Sequence, residues 1–93
     1  MIVLYMELQF SFFEVFSLKE RRSIVKKLKD RLRNKYNVSV AEKSRQNNFR
    51  YTIIGIVSIS DDKNYLLQLR EKIINFIDSF PEFEATILVQ ELL

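Results

Sequence analysis

The pattern of apolar residues predicts an α+β domain whose elements run strand, helix, strand, strand, helix, strand. Three observations carry this expectation. Apolar and polar residues alternate with period two near the N-terminus and again over residues 38–42, as they do in a strand with one buried face. Two longer stretches, residues 17–36 and 61–80, repeat their apolar residues at three and four, the spacing of an amphipathic helix. A single Gly and a single Pro in 93 residues leave little room for long irregular loops.

Taken in order, Ile2, Leu4, Met6, Leu8 and Phe10 alternate with Val3, Tyr5, Glu7 and Gln9 and make the first strand. Ser11 to Phe16 (SFFEVF) reads as a turn whose aromatic rings cap the end of a core. Ser17 opens the first helix, SLKERRSIVKKLKDRLRNKY, through Tyr36. Ser17 and Glu20 have the spacing of a capping box, in which each side chain satisfies the other residue's backbone N–H. Ile24, Val25, Leu28, Leu32 and Tyr36 form the stripe to be buried. Asn37 ends the helix, and Val38 to Glu42 alternate as the second strand. Lys43 to Arg50 (KSRQNNFR) reads as a polar hairpin connection.

Tyr51 to Ser60 (YTIIGIVSIS) is the most apolar strand and is expected at the centre of the sheet. Gly55 within it predicts a close approach of a helix backbone. Ser60, Asp61 and Asp62 supply an N-cap region, with acids where the helix dipole favours them. Leu66, Leu69, Ile73, Phe76, Ile77 and Phe80 are the apolar face of the second helix, and Pro81 closes it. Phe83 to Leu92 is the last strand.

Two right-handed crossovers around a four-stranded antiparallel sheet make this βαββαβ order a ferredoxin-like sandwich, one domain over residues 1–93, with both helices on one face. The other face then carries Val3, Tyr5, Glu7 and Gln9, with Thr52, Ile54, Ile56 and Ser58, and with Thr86, Leu88 and Gln90. Such a face is too apolar for water. Val3, Tyr5, Ile54, Ile56 and Leu88 are therefore expected to meet a symmetric partner in a homodimer or larger homo-oligomer. Both faces of the third strand are apolar, so the pattern leaves its orientation open.

Charge is unevenly spread. From Lys19 to Arg50, 12 cations stand against 3 carboxylates, a net +9, and the remaining residues carry 3 cations against 9 carboxylates, a net −6. Nine of the cations lie between Ser17 and Tyr36. Lys19, Arg22, Lys26, Lys29 and Arg33 form a cationic stripe along one edge of the apolar stripe, and Lys27, Arg31 and Lys35 flank the other edge. Part of this charge is ordinary helix design, because Arg33 and Lys35 suit the negative end of the dipole.

Ser17-Leu18-Lys19-Glu20-Arg21-Arg22, Asn37-Val38-Ser39-Val40-Ala41-Glu42, Gln46 and Ile54-Gly55 resemble the YlxP-like family, a bacterial family of unknown function. Its members typically read S-L-K-E-K-R, then N-V-S-V-A-E, a Gln, and a Gly in the following strand. The resemblance covers nearly the whole chain. It implies a ferredoxin-like fold and, in many bacteria, a gene neighbourhood beside translation initiation and ribosome-maturation factors. It implies no activity. Arg45 and Phe49 stand where a His and a Trp are common, so no role of that His or Trp transfers to this chain. Phe13-Glu14-Val15-Phe16 likewise replaces the Pro or Gly common before S-L-K-E.

Chemistry finds little support. Cys and His are both absent, which removes thiolate and imidazole metal ligands and the usual general base. Ser17, Ser23, Ser39 and Ser44 have no His to activate them. Glu7, Glu14 and Glu42 lack the pocket signal of a catalytic carboxylate pair. One Gly excludes a Gly-rich phosphate loop. Acylphosphatases share the fold, but their Gly-rich first loop is missing here. The expectation is a protein that is not an enzyme and holds no cofactor or metal. The apolar run Ile2 to Met6 has no basic segment before it and is interrupted by Glu7 well short of a membrane span, so a cytoplasmic location is expected.

Three binding readings remain for the basic helix. As a solvated face it keeps a small protein in solution, although mixed charge serves that end as well. As a phosphate-binding face it engages RNA or a ribosomal particle through Lys19, Arg22, Lys26, Lys29 and Arg33, assisted by Arg45 and Arg50, with steep salt dependence. The preference for RNA over DNA comes from the neighbourhood that the resemblance implies. As a membrane-surface helix it needs its apolar stripe free, whereas the core requires that stripe. The stacking surface of an RNA-recognition motif is also lacking, since only Tyr5 and Tyr51 are available on the first and third strands.

Overall fold

The computed structural model of the protein describes residues 1–43 and 50–93. The chain forms β1 (Ile2–Phe12), α1 (Leu18–Lys35), β2 (Ser39–Glu42), β3 (Tyr51–Ser60), α2 (Lys63–Asp78) and β4 (Phe83–Leu92). The strands make one antiparallel sheet in the order β2-β3-β1-β4. This is the expected βαββαβ sandwich. Most of the expected hairpin connection, Arg45 with it, lies outside the described residues.

β1 is longer than its alternation suggested. Ser11 pairs with Tyr51 and Glu84, and Phe12 with Phe83, so the turn is confined to residues 13–16. Glu14 adopts a left-handed backbone there, φ 53°. Phe12 does close the end of the core, edge-on to Phe83, which also meets Phe10 and Phe80. Phe13 and Phe16 of the same turn are exposed.

Ser17 caps α1 by accepting the N–H of Glu20 at 3.1 Å. The reciprocal bond goes one residue upstream of the expected place, from the Phe16 N–H to the Glu20 carboxylate at 3.3 Å. Asp62 caps α2, accepting from the N–H groups of Asn64 and Tyr65. Val25, Leu28 and Leu32 of α1 and Leu66, Leu69, Ile73 and Ile77 of α2 bury themselves on Leu4, Met6, Leu8 and Phe10 of β1.

The orientation of β3 differs from the expected one. Residues paired across an antiparallel sheet point to the same side, and Leu8 pairs with Ile54, Met6 with Ile56. Ile54 and Ile56 are therefore in the helix-covered core, at 0% and 1% exposure, and are not part of an exposed interface. Thr52 and Ser58 point inward with them. Tyr51, Ile53, Gly55, Val57 and Ile59 point outward instead.

Gly55 supplies the physical reason. Turned inward, it would leave a void at the centre of the core, where lost volume is costly. The orientation adopted fills that place with Ile54 and Ile56. Its cost is two buried hydroxyls, and both are hydrogen-bonded: Thr52 to the Glu42 carboxylate and Ser58 to the Asn37 carbonyl at 2.6 Å. A Cβ on Gly55 would meet only ordinary contacts, the closest at 3.8 Å to the Ala41 carbonyl oxygen. Gly55 therefore serves no close helix approach, and it leaves a hollow in the open face.

Candidate nucleic-acid interface

The 3.6-residue period places two sets of cations on opposite flanks of α1, and the two flanks have different surroundings. On one flank, Lys27 pairs with Glu82 at 2.8 Å and lies over the Phe80 ring together with Arg31. Lys35 lies over the rings of Phe76 and Tyr36. Cations held against rings and a carboxylate in this way contribute to packing. The Lys27 ammonium beside Glu82 holds that carboxyl below its ordinary value.

The other flank faces the short edge strand β2. Arg22, Lys26, Lys29 and Arg33 line one groove of about 380 Å³ with Val25, Asp30 and Glu42. Helical spacing makes this convergence possible, since the four cations follow one another at three and four residues. Asp30 offsets Lys26 at 2.8 Å. The Lys26 hydrogen bond, then the charges of Lys26, Arg33 and Lys29, hold the Asp30 carboxyl below its usual value. Arg33 donates to the Val40 carbonyl at 2.7 Å, a bond that anchors the arginine and keeps its charge. Among the described residues, Lys19, Arg22 and Lys29 make no ion pair.

Glu42 does not neutralise the groove. Its carboxylate accepts from Arg21 at 2.6 Å and from the Thr52 hydroxyl. The Arg21 side chain is only 7% exposed, and its Nε has no hydrogen-bond partner. This buried pair was missed in the sequence. The signal was present: Arg21 precedes Val25, Leu28 and Leu32 at four, seven and eleven residues, on the buried stripe itself. A charge in that position needs a counter-charge.

The expected binding residues thus fall into three groups. Arg22, Lys26, Lys29 and Arg33 come together in the groove, and Lys19 is exposed one turn before them. Arg50 is exposed immediately before β3, and Arg45 lies outside the described residues. Of the expected interface residues, Val3 and Tyr5 do line the open sheet face. Leu88 is the extra residue of a bulge in the edge strand β4. Ile54 and Ile56 are corrected to Ile53 and Val57.

The open face is apolar even so. Val3, Tyr5, Ile53, Val57 and Val89 are only partly covered, and Ile59 is 51% exposed. Tyr5 donates to the Glu7 carboxylate at 2.6 Å, and this bond, followed by desolvation and the charges of Glu7 and Glu91, raises the phenol above its ordinary value. Among the described residues, no group of three or more acidic side chains is placed to hold a metal ion. No described helix is long and apolar enough to cross a membrane.

Comparison with known proteins agrees with this architecture. Residues 3–89 match the family described as "Protein of unknown function (DUF503)". The chain is 39% identical over 71 residues to the uncharacterized protein YlxP of Bacillus subtilis, covering 76% of this chain and 77% of that one. Among solved structures, a de novo designed protein with ferredoxin fold has a TM-score of 0.57 at 15% identity, over 96% of this chain and 85% of that one. SnoaB, a cofactor-independent oxygenase from Streptomyces nogalater, has a TM-score of 0.58 at 6% identity, over 98% and 90%. At such identities the structural likenesses speak for the fold alone.

Proposed function

The chain belongs to the DUF503 family of proteins of unknown function, and from its surface we propose that it is a non-enzymatic module that binds RNA, or RNA within a ribosomal particle, along the α1–β2 groove. The observation that carries the reading is the gathering of Arg22, Lys26, Lys29 and Arg33 around one groove. The other cationic flank of the same helix is engaged with rings and a carboxylate. On the groove flank only Arg33 is tied to the backbone and only Lys26 to a carboxylate, which leaves Arg22 and Lys29 available to phosphates, with the outer faces of the other two beside them. Contacts of this kind release counterions and are strongly salt-dependent. The gene neighbourhood implied by the resemblance directs the choice among anionic polymers towards RNA.

Retention on ribosomal subunits, followed by co-sedimentation across a salt series, tests the proposal. Lys26→Glu/Lys29→Glu should abolish retention at low salt. A milder Lys29→Gln should lower the slope of log affinity against log salt by about one, as one phosphate contact is lost. Unchanged retention in the charge-reversed variant defeats the reading.

The apolar open face favours a second, compatible reading, a homo-oligomeric interaction module. The groove lies at the edge between α1 and β2, so it stays accessible when the open face is covered.

A further inference from the structure

We infer that a second copy of this chain packs on the open sheet face about a two-fold axis parallel to the strands, so that β2 of one protomer lies over β4 of its partner. The inference rests on the self-association reading above and adds its geometry. It starts from one row across the sheet. Ala41, Gly55, Glu7 and Val89 are successive partners in the strand register, so they share one level along the strands. The face is uneven at that level. On the β2 side, Gly55 and Ala41 floor a hollow of about 460 Å³, walled by Tyr5, Ile53, Val57 and Lys43. On the β4 side, the strand bulges at Leu88, which is 46% exposed, and Val89 stands beside it.

An axis parallel to the strands preserves level and exchanges left with right. It lays β3 over the partner's β1 and β2 over the partner's β4. The hollow of each protomer then receives the bulged edge of the other, twice over, as a closed isologous contact demands. Charge points the same way. Lys43 stands at the β2 edge of the open face, and Glu84 and Glu91 stand on its β4 edge. The same rotation brings Lys43 towards the partner's acidic edge. An axis perpendicular to the strands stacks hollow on hollow and carboxylates on carboxylates. The carboxylate in the middle of the face, Glu7, already accepts from the Tyr5 hydroxyl, which lessens the cost of covering it. Faces of this kind pack about 10 Å apart with strands roughly 30° from alignment.

The chain has no cysteine, so engineered thiols report cleanly. Wild-type protein is first sedimented at tens of micromolar. A dimer is expected, and Tyr5→Asp, which leaves the core untouched, should convert it to monomer. A monomeric wild type, or a Tyr5→Asp variant that stays dimeric, overturns the self-association reading itself. Ala41→Cys and Val89→Cys proteins are then treated with a short bis-maleimide, separately and after mixing with exchange of protomers. Cross-linked dimer in the mixture alone is the expected result. Cross-linking of Ala41→Cys by itself overturns the axis in favour of the perpendicular one. Cross-linking of Val89→Cys but not of Ala41→Cys points to edge-to-edge pairing of β4 and overturns the face contact. A dimeric wild type with no cross-link in any sample also overturns the geometry.

Discussion

Replacing Glu42 with Ala should destabilise the fold far more than loss of a surface carboxylate does. The carboxylate receives two donors, Arg21 Nη1 at 2.6 Å and the Thr52 hydroxyl. Arg21 is 7% exposed at its side chain and Thr52 is buried, whereas Glu42 is 26% exposed. Removing one partner of a buried pair costs about 3–5 kcal/mol, because a charge is left in a dry place without compensation. The partial exposure of Glu42 admits water to the site and places the expected loss near the lower end, about 3 kcal/mol. For a domain of this size each kcal/mol moves the melting temperature by roughly 4–8 °C, so a fall of about 12–24 °C is expected. Equilibrium urea unfolding with an unchanged m-value gives the free energy directly. The double replacement Arg21→Met/Glu42→Met should recover most of the loss, since buried ion pairs exchange with apolar groups at little net cost. A loss under about 1 kcal/mol for Glu42→Ala refutes the reasoning, because that is how solvated pairs behave.

Three other outcomes follow from the same structure. Gly55→Ala should stabilise the monomer by about 0.5–1 kcal/mol, measured by thermal unfolding of the Tyr5→Asp background, because the added Cβ meets no close contact and the unfolded chain loses freedom; a loss of stability means that something does approach that backbone. Ile56→Ala should cost about 2–5 kcal/mol in urea unfolding, while Ile53→Ala in the same monomeric background costs well under half as much, and equal losses contradict the orientation of β3. The Tyr5 phenol is raised by its bond to the Glu7 carboxylate, so Glu7→Gln should move its absorbance titration to lower pH, read as the difference from the matching Tyr5→Phe proteins. No movement on Glu7→Gln means that the bond is not made in solution.

The helices and the inner face of β1 were legible because one residue choice answers both local and global demands there. Ser17 with Glu20 marks a helix start wherever it occurs, and Leu4, Met6, Leu8 and Phe10 have one side on which to hide. The convergence of Arg22, Lys26, Lys29 and Arg33 was likewise implicit in helical spacing. What the spacing did not contain was the neighbour of each flank: that α2 and Phe80 occupy one side and the short β2 the other depends on the crossover connections. The Arg21–Glu42 pair spans 21 residues of chain, so its distance exists only in the folded sheet.

β3 marks the boundary most clearly. Its two sides, Thr52-Ile54-Ile56-Ser58 and Ile53-Gly55-Val57-Ile59, are each apolar enough for a core, and a strand's own pattern does not choose between them. The choice was made by register against β1 and by the volume that Gly55 fails to supply. Element order, helix faces and the location of positive charge therefore reside in the amino-acid sequence, because they depend on spacing along the chain. Which apolar surface remains open, and which cations remain free, depends on what folds against them, and that was decided by the tertiary structure.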